Sequence, residues 1–360
     1  KGKIIERGIE MSWEKTYQTW NDFENLDKEI RENLESITED QVELEDAFYT
    51  NLEFGTAGMR GVIGAGTNRM NTYIVRQATE GLAKFIEAHG EDAKKRGVAI
   101  AYDSRHKSPE FSLEAAKTLG AHGIKTYLFE SLRTTPELSF AVRHLGTFAG
   151  IMMTASHNPP EYNGYKVYGE DGGQFPPAEA DELTDYVRSV EDILAIEVAE
   201  KDDLVEQGLL EFIGEEVDNA YLEELKTVNI DKELIERNSD LNIVFSPLHG
   251  TATMIGTKAL ENAGFKNVTL EPDQAKPDPD FTTVKSPNPE DPDAFELSIK
   301  LGKEIGAEVL IATDPDADRL GMATRLDNGE YQVLTGNQIA ALMVNYSLKA
   351  YEKQGSLPEN

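Results

Sequence analysis

Asp314-Pro-Asp316-Ala-Asp318-Arg319 sets three carboxylates at alternate positions directly after the apolar run Val309–Ala312. Carboxylates so spaced can converge on one hard cation, and an all-oxygen set suits Mg²⁺ better than zinc. An EF-hand would need Gly at the sixth position and Glu at the twelfth, where this chain has Arg319 and Arg325. An acidic surface turn is the plainer reading of the spacing, opposed by the mutual repulsion of unpartnered charges.

Thr154-Ala-Ser156-His157-Asn158-Pro159 follows another apolar run, Phe148–Met153. Ser156 is therefore expected at the carboxyl end of a strand, where ligands of open α/β sheets sit, and is a candidate nucleophile. A hydrolase triad does not fit: His157, as the immediate neighbour, is expected to point away, and no Gly-x-Ser-x-Gly elbow is present. Read alone, Ser156 is equally a turn serine bonding its own backbone. In Tyr162-Asn163-Gly164-Tyr165-Lys166 the Asn-Gly pair reads as a hairpin turn, and Lys166 lies on a strand beginning beside Ser156. Nearby cations would ease its proton loss and suit it to acid or base work; otherwise it is a surface lysine.

Phe54-Gly-Thr-Ala-Gly58-Met-Arg60-Gly61 could bring backbone amides and Arg60 to a phosphate, although it is neither a Walker loop nor a Rossmann fingerprint. Asp103-Ser-Arg105 and Pro247-Leu-His249-Gly250 also follow apolar runs, which makes Arg105 and His249 candidate ligand contacts.

The elements that must position these residues alternate along the chain. Helical spacing runs from Trp13 to Tyr49, followed by strand Val98–Tyr102 and a helix to Leu119 with Ser108 as N-cap and Pro109 in its first turn. Strand Ile124–Phe129, helix Pro136–His144 and strand Phe148–Met153 complete a first α/β domain over residues 12–205. A second, 206–328, contains helix Glu215–Val228, strand Leu241–Phe245, helix Thr251–Ala263, strand Asn267–Leu270, helix Asp293–Ile305 and strand Glu308–Ala312. Its Pro272–Pro292 stretch, rich in Pro and Asp, predicts a functional or surface loop. Residues 329–360 begin a third unit of one strand and one helix, too little to bury its own apolar faces. Residues 1–11 read as an added or upstream segment before a start at Met11-Ser12-Trp13. The predicted fold class is α/β: successive domains with mixed sheets covered by helices.

The 360 residues hold 35 Lys+Arg against 66 Asp+Glu, a net charge of −31 that argues against nucleic acid and acidic lipid surfaces as partners. The chain has no Cys, no membrane-length apolar run and no signal-peptide core, so a reducing cytoplasm is expected.

Taken together, the order Gly-Thr-Ala-Gly-Met-Arg-Gly, Thr-Ala-Ser-His-Asn-Pro, Asn-Gly-Tyr-Lys and Asp-Pro-Asp-Ala-Asp-Arg resembles the α-D-phosphohexomutase superfamily, over residues 12–360, and bacterial phosphoglucomutases above all. The resemblance implies the N-terminal domains of a four-domain enzyme, with a phosphoserine at Ser156 and Mg²⁺ held by Asp314, Asp316, Asp318 and a phosphoserine oxygen. Lys166 would transfer protons; His157 and Arg60 would serve catalysis, and Asn163, Arg319, His249 and Arg105 would contact a phosphorylated hexose. Glucose 1,6-bisphosphate would be the intermediate and activator. Phosphomannomutase or phosphopentomutase activity, a Mg²⁺-dependent sugar phosphatase, and a non-catalytic phosphosugar-binding fragment are the alternatives. The family's later Gly-Glu-x-Ser and Arg-x-Ser-Gly-Thr motifs are absent, Gly214-Glu-Glu-Val217 being only a partial likeness, so a truncated and weakly active or inactive chain is expected. Arg133-Thr134-Thr135-Pro136 stands where Arg-Pro-Thr-Pro is the family pattern.

Overall fold

The computed structural model describes residues 12–55 and 58–357; the segment 1–11 and Thr56-Ala57 of the glycine-rich loop lie outside the described residues. The architecture is α/β, as expected, with two mixed sheets. The first comprises β1 (Met59–Val62), β2 (Val98–Tyr102), β3 (Thr126–Phe129), β4 (Ala149–Met153), β5 (Tyr162–Gly169) and β6 (Leu210–Ile213), in the order β1-β5-β4-β2-β3-β6. Strands β4, β2, β3 and β6 are parallel, while β5 runs antiparallel to β4 and β1. Every residue of β2 and β4 is buried, because helices cover both faces of the parallel centre. Val98, Ile100 and Tyr102 face the core under helices Thr72–Ala88 and Ser108–Ala121; Ala99 and Ala101 face helix Thr135–Leu145.

The second sheet comprises β7 (Asn242–Ser246), β8 (Asn267–Leu270), β9 (Val309–Thr313), β10 (Leu320–Arg325) and β11 (Tyr331–Val333), in the order β11-β10-β9-β7-β8. Strands β8, β7 and β9 are parallel, and β10 is antiparallel to both neighbours. Among the described residues no helix is long and apolar enough to cross a membrane.

Several local expectations are corrected. β6, read as the start of the second unit, pairs in parallel with β3 as the edge of the first sheet. β11, read as the start of a third, pairs with β10 through the tight Asp327-Asn328-Gly329 turn, where Gly329 has φ 83°. Asn163-Gly164 is no turn: both lie inside β5, and a Cβ at Gly164 would meet Thr154 O at 2.5 Å and Met59 O at 2.8 Å. Glycine is needed there for close strand approach rather than chain reversal. Ser108 does not cap its helix, since its Oγ donates to Asp103 Oδ1 at 2.8 Å. The N-terminal helical stretch divides into Trp13–Asp22, Lys28–Ile37 and Gln41–Phe48 because Asp27 and Asp40 accept amide hydrogen bonds and start new helices. These helices bury Trp20, Leu34 and Phe48 around Tyr73.

Candidate active site

The carboxyl ends of β4 and β9 meet, and with them Ser156 and Asp314. Ser156 is buried, its amide donates to Thr154 Oγ1 at 2.8 Å, and its Oγ donates to Asp314 Oδ2 at 2.8 Å. Its backbone is left-handed, φ 53°, a costly state for a residue with a side chain. That sharp turn brings the neighbouring His157 back, Nδ1 to Oγ 3.2 Å, which corrects the expectation that adjacency would point the ring away. Burial, then Arg319 and Arg60, hold the imidazole below its usual range, favouring a neutral ring beside the hydroxyl.

Asp314, Asp316 and Asp318 each offer an oxygen within 4.8 Å of the others. The loop closes tightly: Ala317 is left-handed at φ 59°, its amide donates to Asp314 O at 2.9 Å, and Arg319 N donates to Asp314 Oδ1 at 2.9 Å. Thr135, at the start of a helix on the first sheet, holds the same loop, donating from N to Asp316 O at 2.8 Å and from Oγ1 to Asp316 Oδ2 at 2.9 Å. Burial and the charges of Asp316 and Asp318 push the Asp314 carboxyl up to about 9. Burial also acts to raise Asp316, but Lys166 outweighs it and the carboxyl stays low. Among the described residues, buried Asp316 Oδ1 has no hydrogen-bond partner. An orphaned carboxylate oxygen inside an all-oxygen triad is the donor chemistry of a hard cation, so the residues fit Mg²⁺.

Lys166, inside β5, donates from Nζ to Asp316 Oδ2 at 2.8 Å and Asp318 Oδ2 at 3.2 Å. Burial lowers its pKa, yet the two carboxylates prevail and the amine is held charged. Its expected cationic neighbours are thus replaced by anionic ones. In this arrangement its ammonium serves as hydrogen-bond donor and counter-ion to the two carboxylates.

Three expected ligand contacts are corrected. Arg105 is fully buried and donates to the carbonyls of Ser156, Asn158, Pro159 and Tyr162 at 2.5–3.0 Å, so it shapes the serine loop from behind. Asn163 is buried too, its Nδ2 donating to His106 O and Ser108 Oγ, both at 2.9 Å. His249 has both ring nitrogens engaged, Nδ1 with Lys276 O at 3.1 Å and Nε2 with Thr283 Oγ1 at 2.7 Å. Burial turned each of these residues inward, where its polar atoms satisfy loop backbone and neighbouring hydroxyls. Arg60 and Arg319 remain accessible: Arg60 Nη1 donates to Asn158 Oδ1 at 3.2 Å, and the Arg319 side chain is 40% exposed. Thr135 and Asp103 were missed as site residues. Asp103 anchors the scaffold, accepting from Arg105 N at 3.0 Å and Thr154 Oγ1 at 2.6 Å. An Asp at the end of a buried strand, two residues before an Arg, was the available signal.

Two family models match the chain: phosphoglucomutase/phosphomannomutase alpha/beta/alpha domain I over residues 51–193 and domain II over residues 219–328. A phosphoglucomutase from Staphylococcus epidermidis is 42% identical over 310 residues, covering 86% of this chain and 55% of its own length. One from Staphylococcus aureus strain USA300 is 40% identical over 310 residues, covering 86% and 54% respectively. The chain thus spans about half the length of these relatives. A crystal structure of a protein assigned as a phosphomannomutase from Thermus thermophilus matches with TM-score 0.64 at 27% identity, covering 78% of this chain and 58% of that one. The chain, with both domain models seated on the two sheets that bring Ser156 to the aspartate loop, belongs to the phosphoglucomutase/phosphomannomutase family.

Proposed function

We propose that the chain carries the phosphoserine and metal loops of a phosphoglucomutase, which moves phosphate between C1 and C6 of glucose through phosphorylated Ser156 and a glucose 1,6-bisphosphate intermediate. The observation that carries this reading is the 2.8 Å contact between Ser156 Oγ and Asp314 Oδ2 within an oxygen-only triad. A hydroxyl at the edge of a cation site can exchange a phosphoryl group by positioning and charge neutralisation alone. When bound by Asp314, Asp316 and Asp318, Mg²⁺ supplies Lewis-acid stabilisation of the transferring phosphoryl oxygens.

The remaining roles fall to the protein. Arg105 and Thr154 fix the loop so that Oγ faces the triad. Neutral His157 sits 3.2 Å from Oγ, placed to take the hydroxyl proton once it turns from Asp314. Arg60 and Arg319 are the accessible cations that would hold the phosphates of the sugar, and Lys166 keeps the acidic loop in place from beneath.

Incubation with glucose 1,6-bisphosphate, followed by peptide mass spectrometry, tests the reading. Phosphate is expected on Ser156 and absent from Ser156→Ala; label on another serine, or label surviving in the variant, refutes it. The fate of that phosphate then separates the reactions: transfer to glucose 1-phosphate supports the mutase, whereas release to water alone indicates a phosphatase.

A further inference from the structure

The loop between β8 and helix Glu296–Ile305 reaches away from its own sheet to the serine loop. Its Phe281 is almost wholly buried, and the ring lies against the Arg105 guanidinium, 5.0 Å from carbon to centroid. Beside it, Asp280 Oδ1 meets His106 Nε2 at 2.7 Å. Arg105 has spent the donors of both Nη atoms on four carbonyls of residues 156–162, and its Nε is ion-paired with buried Asp103 Oδ2 at 3.4 Å, so its edge is held in plane and the open part of the guanidinium is its face. Phe281 covers that face with its ring.

The loop is built to hold this ring in place. Phe281 has φ 48°, a left-handed conformation that a bulky residue keeps only when its surroundings impose it. His249 braces the loop through Lys276 O and Thr283 Oγ1, and Asp278 accepts from the amides of Asp280 and Thr282, each at 3.0 Å. A continuous set of contacts therefore runs from the second sheet through His249, Phe281 and Arg105 to the backbone of Ser156. It is separate from the contact made by the aspartate loop.

We propose that Phe281 is a positioning residue for Ser156: it clamps Arg105, and through Arg105 the backbone of residues 156–162, so that the hydroxyl stays aligned with the triad. The catalytic part of this inference rests on Ser156 being the phosphoacceptor; the clamp itself does not.

Hydrogen exchange by mass spectrometry on wild type and Phe281→Leu, which keeps an apolar side chain but removes the ring, tests the clamp. About tenfold faster exchange is expected for the amides of 156–162, with β2 and β3 exchanging at wild-type rates. Phosphate incorporation into Ser156 from glucose 1,6-bisphosphate should slow about tenfold, with the half-saturating bisphosphate concentration unchanged, because Phe281 lies behind the loop. A folded Phe281→Leu protein whose 156–162 amides exchange as in wild type overturns the proposal. If that variant does not fold, pentafluorophenylalanine at position 281 keeps the ring shape and reverses its quadrupole, and wild-type exchange there overturns the proposal equally. A wild-type chain that accepts no phosphate refutes the phosphoserine reading alone, since the exchange comparison still decides the clamp.

Discussion

Ser156 Oγ and Asp314 Oδ2 lie 2.8 Å apart although one residue sits in the loop after β4 of the first sheet and the other follows β9 of the second. The candidate nucleophile and the candidate cation site are therefore one site split between two sheets, and groups that hold the sheets together act on both.

Phosphorylating Ser156 sets phosphate oxygens beside the aspartate triad, adding a ligand and negative charge. Mg²⁺ should bind at least about tenfold more tightly to the phosphorylated chain, and Asp316→Asn should weaken binding in both forms. Calorimetric titration of the two forms checks this; equal affinities would separate Ser156 from the metal site.

Thr135 orients Asp316 from the opposite sheet. Thr135→Val, which keeps the shape and loses the Oγ donor, should lower Mg²⁺ affinity by about 10–100-fold, while Thr135→Ser keeps most of it. Calorimetry on the two variants reads the difference directly, with thermal unfolding as the check that both are folded.

Glu137 is buried on helix Thr135–Leu145 against Asp218, which Arg133 holds by two bonds of 2.6 and 2.9 Å. Burial and Asp218 push the Glu137 carboxyl from 4.5 up to about 9, so it keeps a proton that Asp218 can accept in a hydrogen bond. Across that window the folded chain holds more protons than the unfolded one, and stability should fall as pH rises, by at most about 1.4 kcal/mol per pH unit. Glu137→Gln should remove this slope, its advantage over wild type growing toward alkaline pH in urea titrations.

His122 bridges helix Thr72–Ala88 through Glu80 at 2.8 Å and Glu87 at 3.0 Å. Burial lowers its pKa, but the two glutamates prevail and raise it above 6.5. Lys84 and Lys94, each paired with one of those glutamates, temper the effect. The stabilisation should be complete below about pH 6.5 and fade as pH rises through the higher folded value, an effect of about 0.5–1 kcal/mol. His122→Gln should show no such loss in thermal unfolding from pH 6 to pH 9.

What could be read from the sequence was whatever depends on local order. An apolar run followed by Thr-Ala-Ser-His or Asp-Pro-Asp-Ala-Asp puts polar groups at a strand's carboxyl end, because a strand covered on both faces holds few polar groups that lack a buried partner. Ser156 and the aspartates were found on that basis. The same rule failed for Arg105 and His249, which also follow buried strands: whether a strand-end side chain faces solvent or the interior depends on what covers it, and the covering loop comes from residues 272–283, far away in the chain.

The chain order alone determined that strands and helices alternate, that the acidic triad is an oxygen-only set, and that Ser156 stands at a strand terminus. Tertiary structure decided the partners. It placed β6 on the first sheet and β11 on the second, made Lys166 a buried counter-ion of Asp316 and Asp318, and turned His157 toward the serine through a left-handed backbone. Each of these depends on contacts between residues far apart in the chain or on strain imposed by the surrounding fold, and residue spacing carries no record of either.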